Sequence, residues 1–250
     1  MLRKMNPDEK IVFDYLLQLN VGEVIWEPGG NTPPDFSINS KIAVEARRLN
    51  QNYQNSDSYE GLEILSSSLE DVMSEVFHSF DERYTGKSYF VGYFYKRPIG
   101  SVNKLKKEIK LQLIKFLNEN MSVPTEIPFG DNFQLWIIDR PPLPGVTFRL
   151  AGLLDHDSGG FIVSEYVKNI NLCIQEKNNK IQNYLHKYLE WWLVLVDQTD
   201  LIMDAEDQPQ IVPNINCLGS FNQLLVINQR SLVPIFVKNT DKVTFPNLKE

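Results

Sequence analysis

Asp35 follows two prolines, Glu45 lies ten residues further on, and Arg47 comes two residues after Glu45. Two carboxylates and a guanidinium on adjoining segments are parts that can hold a divalent cation beside a phosphate. Side chains alternate faces along a strand, so Ala43, Glu45 and Arg47 point one way and Ile42, Val44 and Ala46 the other. In a hairpin with a three-residue connection at Asn39, Ser40 and Lys41, Asp35 falls opposite Glu45 and shares its face. A two-residue turn at Asn39-Ser40 pairs Asp35 with Val44 instead, and the acids then part unless a bulge intervenes. Like charges directly opposite one another repel, so a chain that keeps them together suggests a cation between them. Their oxygens suit Mg²⁺ (or Mn²⁺), an ion that keeps several waters and shares its sites with phosphates. Such a metal polarises a phosphoryl oxygen and acidifies a bound water, while a basic group stabilises the charge that develops. Arg47 sits where that group is needed.

The elements that must position these residues can be read from spacing. Ile11, Val12, Tyr15, Leu16 and Leu19 recur at helical intervals behind Asn6 as N-cap, Pro7 in the first turn and Glu9 at the capping-box position. Short strands follow at 23–28, at DFSIN (35–39) and at KIAVEARRL (41–49), the last two forming the hairpin. A polar loop leads to a helix predicted over 59–80, then an aromatic-rich strand over 88–95 and an amphipathic helix over 101–120. Strands are predicted at 133–139 and 145–154, a helix over 163–189 with a break near EKNNK (176–180), and a doubly apolar central strand at WWLVLVD (191–197). Two more strands close the chain, at FNQLLVIN and LVPIFVKN. This order predicts an α/β (α+β) fold with a mixed sheet flanked by helices. With no repeat, low-complexity tract or linker in view, a single domain over 1–250 is expected.

Pro34-Asp35 followed by Val44-Glu45-Ala46-Arg47, with an acid-bearing helix before and strand, helix and strand around them, resembles the PD-(D/E)xK superfamily of restriction-endonuclease-like phosphodiesterases. The match covers mainly residues 5–95, leaving about 100–250 as an extension of helices and strands. The resemblance implies Asp35 as the PD acid, Glu45 as the second acid, Arg47 at the lysine position and Glu9 as the extra helix acid some members carry. Asp35, Glu45 and Arg47 would then be catalytic, and Asp35, Glu45 and Glu9 would hold the metal. Arginine departs from the pattern: it binds phosphate well but is a poor proton shuttle. Some members carry the lysine on a later helix, which makes Lys177 or Lys180 its substitutes here. Others have lost catalysis and serve as binding or assembly modules. The implied partners are nucleic acid, DNA ahead of RNA, and a second copy of the chain as a homodimer; no membrane is expected.

Plainer readings stand beside these. Asp35 after prolines is also a common turn residue, and Glu45 with Arg47 also reads as a solvated strand face. Asp155, His156 and Asp157 form a polar loop, since no second histidine lies at ligand spacing. His78 and His186 read as packed or surface residues, and the basic run KLKKEIK (104–110) as a solvated helix face. Tyr53, Tyr93, Tyr95 and Trp26 could stack on bases but read first as core. No nucleophile elbow, phosphate-cradling glycine loop or Cys-His pairing is present.

The formal charge of -7 argues against a generally basic, nucleic-acid-coating surface, and leaves room only for a local basic cleft. At 42% hydrophobic and 23% charged, the chain has a globular and not a disordered composition. Cys173 and Cys217, far apart and without metal spacing, predict free thiols in a reducing compartment. The charged start lacks the apolar segment of a signal peptide. The longest apolar run has six residues against the roughly 20 that span a bilayer. A cytoplasmic location is expected.

Overall fold

A computed structural model describes residues 4–55, 58–81, 86–204, 206–215, 217–239 and the backbone of 243–244. The chain divides into two compact units, one formed by 1–51 with 159–250 and the other by 52–158. The single domain and the 5–95 core read from the sequence therefore take a different form. The strand that completes the core sheet beside KIAVEARRL comes from beyond residue 189, and residues 52–158 of the segment between form their own unit. Within the expected α+β class the mixed sheet is present.

The first unit opens with α1 (Pro7–Gln18), whose start is fixed by the predicted capping box: Glu9 N donates to Asn6 Oδ1 and Asn6 N donates to Glu9 Oε2. Strands β1 (Val24–Trp26), β2 (Phe36–Ile38) and β3 (Ile42–Leu49) follow as an antiparallel meander. The β2–β3 register pairs Phe36 with Val44 and Ile38 with Ile42 across a three-residue connection. One step further along the same register sets Asp35 opposite Glu45, the arrangement the chemistry requires.

Local chemistry selects this connection over the shorter turn. Asn39 and Ser40 both adopt left-handed backbone, at φ 50° and 55°, a conformation asparagine tolerates better than most residues. The Asn39 side chain accepts from Glu23 N and donates to Val21 O, tying the connection to the start of β1. It lies so close to Gly22 that a Cβ there would come within 2.2 Å of the amide, and Gly22 itself sits at φ 129°.

The second unit contains β4 (Asn52–Asn55), β5 (Ser58–Gly61), α2 (Leu62–His78), β6 (Ser88–Tyr95), α3 (Val102–Asn118), β7 (Thr125–Phe129), β8 (Phe133–Arg140) and β9 (Phe148–Asp155). The β4–β5 hairpin replaces the start of the helix predicted from residue 59, and β7 forms where a loop was predicted. A four-stranded sheet in the order β7-β8-β6-β9 carries α2 and α3 on one face, over a core that includes Tyr93, Tyr95, Phe116 and Phe148. Asp155, at the end of β9, receives Tyr95 OH and Arg97 Nη1, while Arg97 Nη2 donates to Leu62 O.

The chain returns to the first unit with α4 (Ile162–Ile181), a 3₁₀ turn over Gln182–Lys187, and β10 (Glu190–Asp197). It continues through the short helix α5 (Gln208–Ile211) to β11 (Gln223–Asn228), β12 (Pro234–Asn239) and β13 (Val243–Thr244). The seven-stranded sheet runs β1-β2-β3-β10-β11-β12-β13, with β10 parallel to both β3 and β11. As the doubly apolar WWLVLVD predicts, β10 is central and buried on both faces.

Helix α1 covers one face, packing Val12, Tyr15 and Leu16 over Phe36, Val44, Ala46 and Val194. Helix α4 covers the other, packing Tyr166, Ile170, Cys173 and Ile174 over Ala43, Leu49, Leu193 and Leu195. The helix passes through EKNNK without the predicted break. Asn178, a weak helix former, is held by Ser220 N and Leu218 O, and these tertiary bonds outweigh its local preference. Among the described residues no helix is long and apolar enough to cross a membrane.

If Asn39 sets the register, Asn39→Ala removes two hydrogen bonds and places alanine in left-handed backbone, with an expected loss of about 2 kcal/mol. Urea unfolding measures it, and Asn39→Gly, which keeps the backbone freedom, should recover part of the loss. Equal destabilisation by the two substitutions would contradict the conformational part of the argument.

Candidate functional site

Two of the predicted residues meet, and the cation between them is supplied by the chain. Asp35 ends the loop before β2, and Glu45 stands mid-β3 on the face covered by α4, between Ala43 and Leu49 of the core. Helix α4 presents an apolar stripe in which Tyr166, Ile170, Cys173, Ile174 and Ile181 are buried, and Lys177 occupies a position of that same stripe. Its Nζ lies 2.6 Å from Glu45 Oε2 and 3.2 Å from Asp35 Oδ2. One turn on, Lys180 Nζ lies 3.1 Å from Glu45 Oε2 and 3.5 Å from Asp35 Oδ1.

The two lysines differ in setting. The Lys177 side chain is 10% exposed and that of Lys180 45% exposed, while the Glu45 side chain is fully buried. Lys177 therefore compensates the buried acids, and Lys180 stands at the solvent edge. Asp35 Oδ2 also accepts from Ala46 N at 2.9 Å, which fixes its carboxylate to the neighbouring strand. Glu45 Oε1 is buried and has no hydrogen-bond partner among the described residues. A buried acceptor left open is costly, and here it lies beside a second carboxylate.

These surroundings push the two acids apart. Burial drives the Asp35 carboxyl up, but Lys177, Lys180 and the Ala46 N–H outweigh it and hold Asp35 below the usual carboxylate range. At Glu45 burial prevails; Lys177 opposes it, the Asp35 charge adds to it, and the carboxyl is raised. Burial also works against the Lys177 ammonium, yet Glu45 and Asp35 together raise its pKa. Neighbouring carboxylates with opposed proton affinities are a recurrent property of acid-base sites.

The remaining predicted residues go elsewhere. Arg47 shares Glu45's face, but its Nε and Nη2 donate to Glu176 Oε2, at 3.0 and 2.6 Å, and its Nη1 donates to Arg48 O. Its fork is held away from the acids, and Lys177 and Lys180 take the basic positions beside them. The Glu9 carboxylate closes the capping box of α1. Among the described residues no three His, Cys, Asp or Glu side chains group as metal ligands, so Glu9 does not join Asp35 and Glu45. A two-carboxylate site nevertheless fits Mg²⁺, which takes few protein ligands and keeps waters, and Glu45 Oε1 is an acceptor available to it.

The other candidates fall outside this cluster, and Asp155, expected in a polar loop, is buried at the end of β9. Asp155 and Asp157 receive Arg97 Nη1, forming a buried anchor in the second unit. From α3, Lys104, Lys107 and Lys110 are exposed, Lys106 pairs with Glu75 of α2, and Leu105 and Ile109 enter the core. His78 Nδ1 lies 2.7 Å from Ser74 O in α2. No family model, curated protein or solved structure matches the chain.

Lys177 governs the pH dependence of this cluster. Because its pKa is raised above 10.5, its ammonium stabilises the fold fully below that value, and the contribution is lost as pH rises through the higher folded value. In Lys177→Met two buried carboxylates lose their closest cation, with an expected loss of about 3–5 kcal/mol at pH 7.5. The deficit should shrink as pH falls toward about 4.5, where protons replace the missing charge. Urea unfolding of both proteins at the two pH values checks this; an identical deficit at both would refute charge compensation as the role of Lys177.

Proposed function

We propose that the chain is a metal-dependent nuclease-like protein that hydrolyses phosphodiester bonds, with DNA as its substrate. The observation that carries this reading is the convergence of Asp35, Glu45 and Lys177 from a hairpin and a later helix, with Glu45 Oε1 left open. It supports the PD-(D/E)xK resemblance in the variant form in which the lysine enters from a helix. Asp35 and Glu45 would hold Mg²⁺ or Mn²⁺, which when bound supplies Lewis-acid polarisation of a phosphoryl oxygen and a more acidic water.

The chain's own groups have distinct parts. Ala46 N–H orients Asp35, and burial keeps Glu45 out of bulk water. Lys177 places a compact ammonium where negative charge develops on the phosphate, a point charge that Arg47 could not replace. Lys180, at the solvent edge, meets the incoming backbone. Both cysteines are free, in keeping with a cytoplasmic setting.

A second reading is favoured by a specific observation: Lys177 and Lys180 already match the charge of the two acids. On that reading the cluster is structural, and the protein is a catalytically silent binding or assembly module of the same fold.

Supercoiled plasmid incubated with Mn²⁺ separates the two. On the nuclease reading the wild type nicks or linearises it, and Asp35→Asn, Glu45→Gln and Lys177→Met each reduce the rate at least 100-fold. Circular dichroism should show each variant folded at the assay temperature. Cleavage that survives in Asp35→Asn sinks the active-site assignment, and background-level cutting by the wild type selects the silent module.

A further inference from the structure

The second unit's sheet has a second face that the proposed site does not use. Residues of β6 alternate, so Tyr89, Val91, Tyr93 and Tyr95 enter the core beneath α2 and α3, while Phe90, Gly92 and Phe94 face the other way. The register brings Trp136 opposite Gly92 and Gln134 opposite Phe94 on that outer face. The sheet is mixed, with β9 parallel to β6, and a sheet face left uncovered by helices normally carries polar side chains. This one turns out Phe90, Phe94 and Trp136, each only partly buried.

The rings lie flat. A Cβ on Gly92 would come within 2.1 Å of the Trp136 ring, so the indole lies down over the bare backbone of β6 and keeps its opposite face outward. Phe94 stacks beside it, with centroids 6.5 Å apart and planes inclined by 27°, and His156 continues the row 6.3 Å from Phe94. Beyond Phe94 a cavity of about 360 Å³ is lined by Lys96, Asn132, Gln134 and His156, with Asp131 at its wall.

Uncompensated cations border the row at both ends. The Arg140 guanidinium lies 4.7 Å from the Phe90 ring centroid; its Nε donates to Pro141 O, and its Nη1 is buried and without a hydrogen-bond partner among the described residues. Arg149 is exposed on β9 in register with Phe90, and Lys96 is exposed at the far end. Unlike Arg47, Arg48 and Arg97, none of these three is given an acidic partner among the described residues. On the β7 side the exposed Glu126 stands in register with Trp136, held by Gln134 Nε2; elsewhere the row lies between unpaired cations, a pattern that suits a polymer with a π-face on each unit and an anion between units. A folded protein partner would not need charge at both ends of a ring row.

We propose that this outer face is a stacking platform for single-stranded DNA, with Trp136 and Phe94 stacking bases and Arg140, Arg149 and Lys96 contacting phosphates. The choice of DNA over RNA rests on the substrate proposed above, whereas the platform itself is independent of Asp35 and Glu45. It would hold an unpaired strand, a different task from phosphodiester cleavage.

The test uses the full chain in EDTA with fluorescein-labelled dT15, read by anisotropy, with rU15 and a 15-base-pair duplex as competing arms. The wild type should bind dT15 more tightly than either, and log affinity should fall against log salt with a slope of about −2, as three phosphate contacts on a single strand require. Phe94→Ala with Trp136→Ala should weaken binding at least tenfold, and Arg140→Gln with Arg149→Gln should flatten the salt slope. Should the alanine pair fail to fold, Trp136→Phe keeps a ring on Gly92 and should lose the tryptophan quenching that dT15 produces in the wild type. Because dT15 binding is read in EDTA and plasmid cleavage in Mn²⁺, platform and nuclease can fail separately. No binding to dT15 at micromolar protein, tighter binding of duplex or rU15, or unaltered binding by the folded Phe94/Trp136 variants would overturn the proposal.

Discussion

A lysine ammonium set between two buried carboxylates is the constraint on which the first unit depends. Filling the space between β3 and α4 with hydrocarbon would contribute about 1.5–3 kcal/mol per buried side chain. The chain instead places Asp35, Glu45 and Lys177 there. An isolated carboxylate in such a place would carry a desolvation cost of several kcal/mol, more than one buried leucine provides. The three charges are tolerable only together, and only in one geometry. That geometry fixes the β2–β3 register from one side and the rotation of α4 from the other.

The cluster is also not a fully matched ion pair. A closed structural ion pair has every acceptor matched. Here Glu45 Oε1 is buried without a partner among the described residues, and Asp35 and Glu45 are driven in opposite directions although they share the same lysines. The difference lies in Ala46 N–H, which favours the charged form of Asp35, while Glu45 has no backbone donor of this kind. The two acids therefore differ in proton affinity although they share their counter-ions.

Much of this was legible in the amino-acid sequence where a local rule decides the outcome. The capping box of α1, the alternation of β3 and the central place of WWLVLVD follow from spacing alone. The hairpin register was legible as one of two options, because left-handed backbone at Asn39 and Ser40 is set partly by contacts with Val21 and Glu23. What could not be read locally is the parallel pairing of β3 with β10, which brings together residues nearly 150 positions apart. The division into two units was hidden for a related reason: its crossing points, in NQNYQNSDSY (50–59) and DSGG (157–160), read equally as loops within one domain. Lys177 did leave a signal, as a lysine on the apolar stripe of a helix beside Cys173, Ile174 and Ile181. Arg47 attracted the role by proximity in sequence, but Glu176 lies on the adjoining helix and holds it.

The 52–158 insertion sits between an acid and its counter-ion in synthesis order as well as in sequence. Glu45 emerges 132 residues before Lys177, and β3 before the strand that will flank it. The intervening unit is contiguous and rich in near-neighbour strand pairing, so it can collapse on its own while the earlier hairpin waits. Through that interval the nascent hairpin must keep both carboxylates hydrated, which disfavours premature burial of the face that α4 will cover. The charged face of the unfinished hairpin is costly to desolvate until α4, with Lys177, is present to cover it.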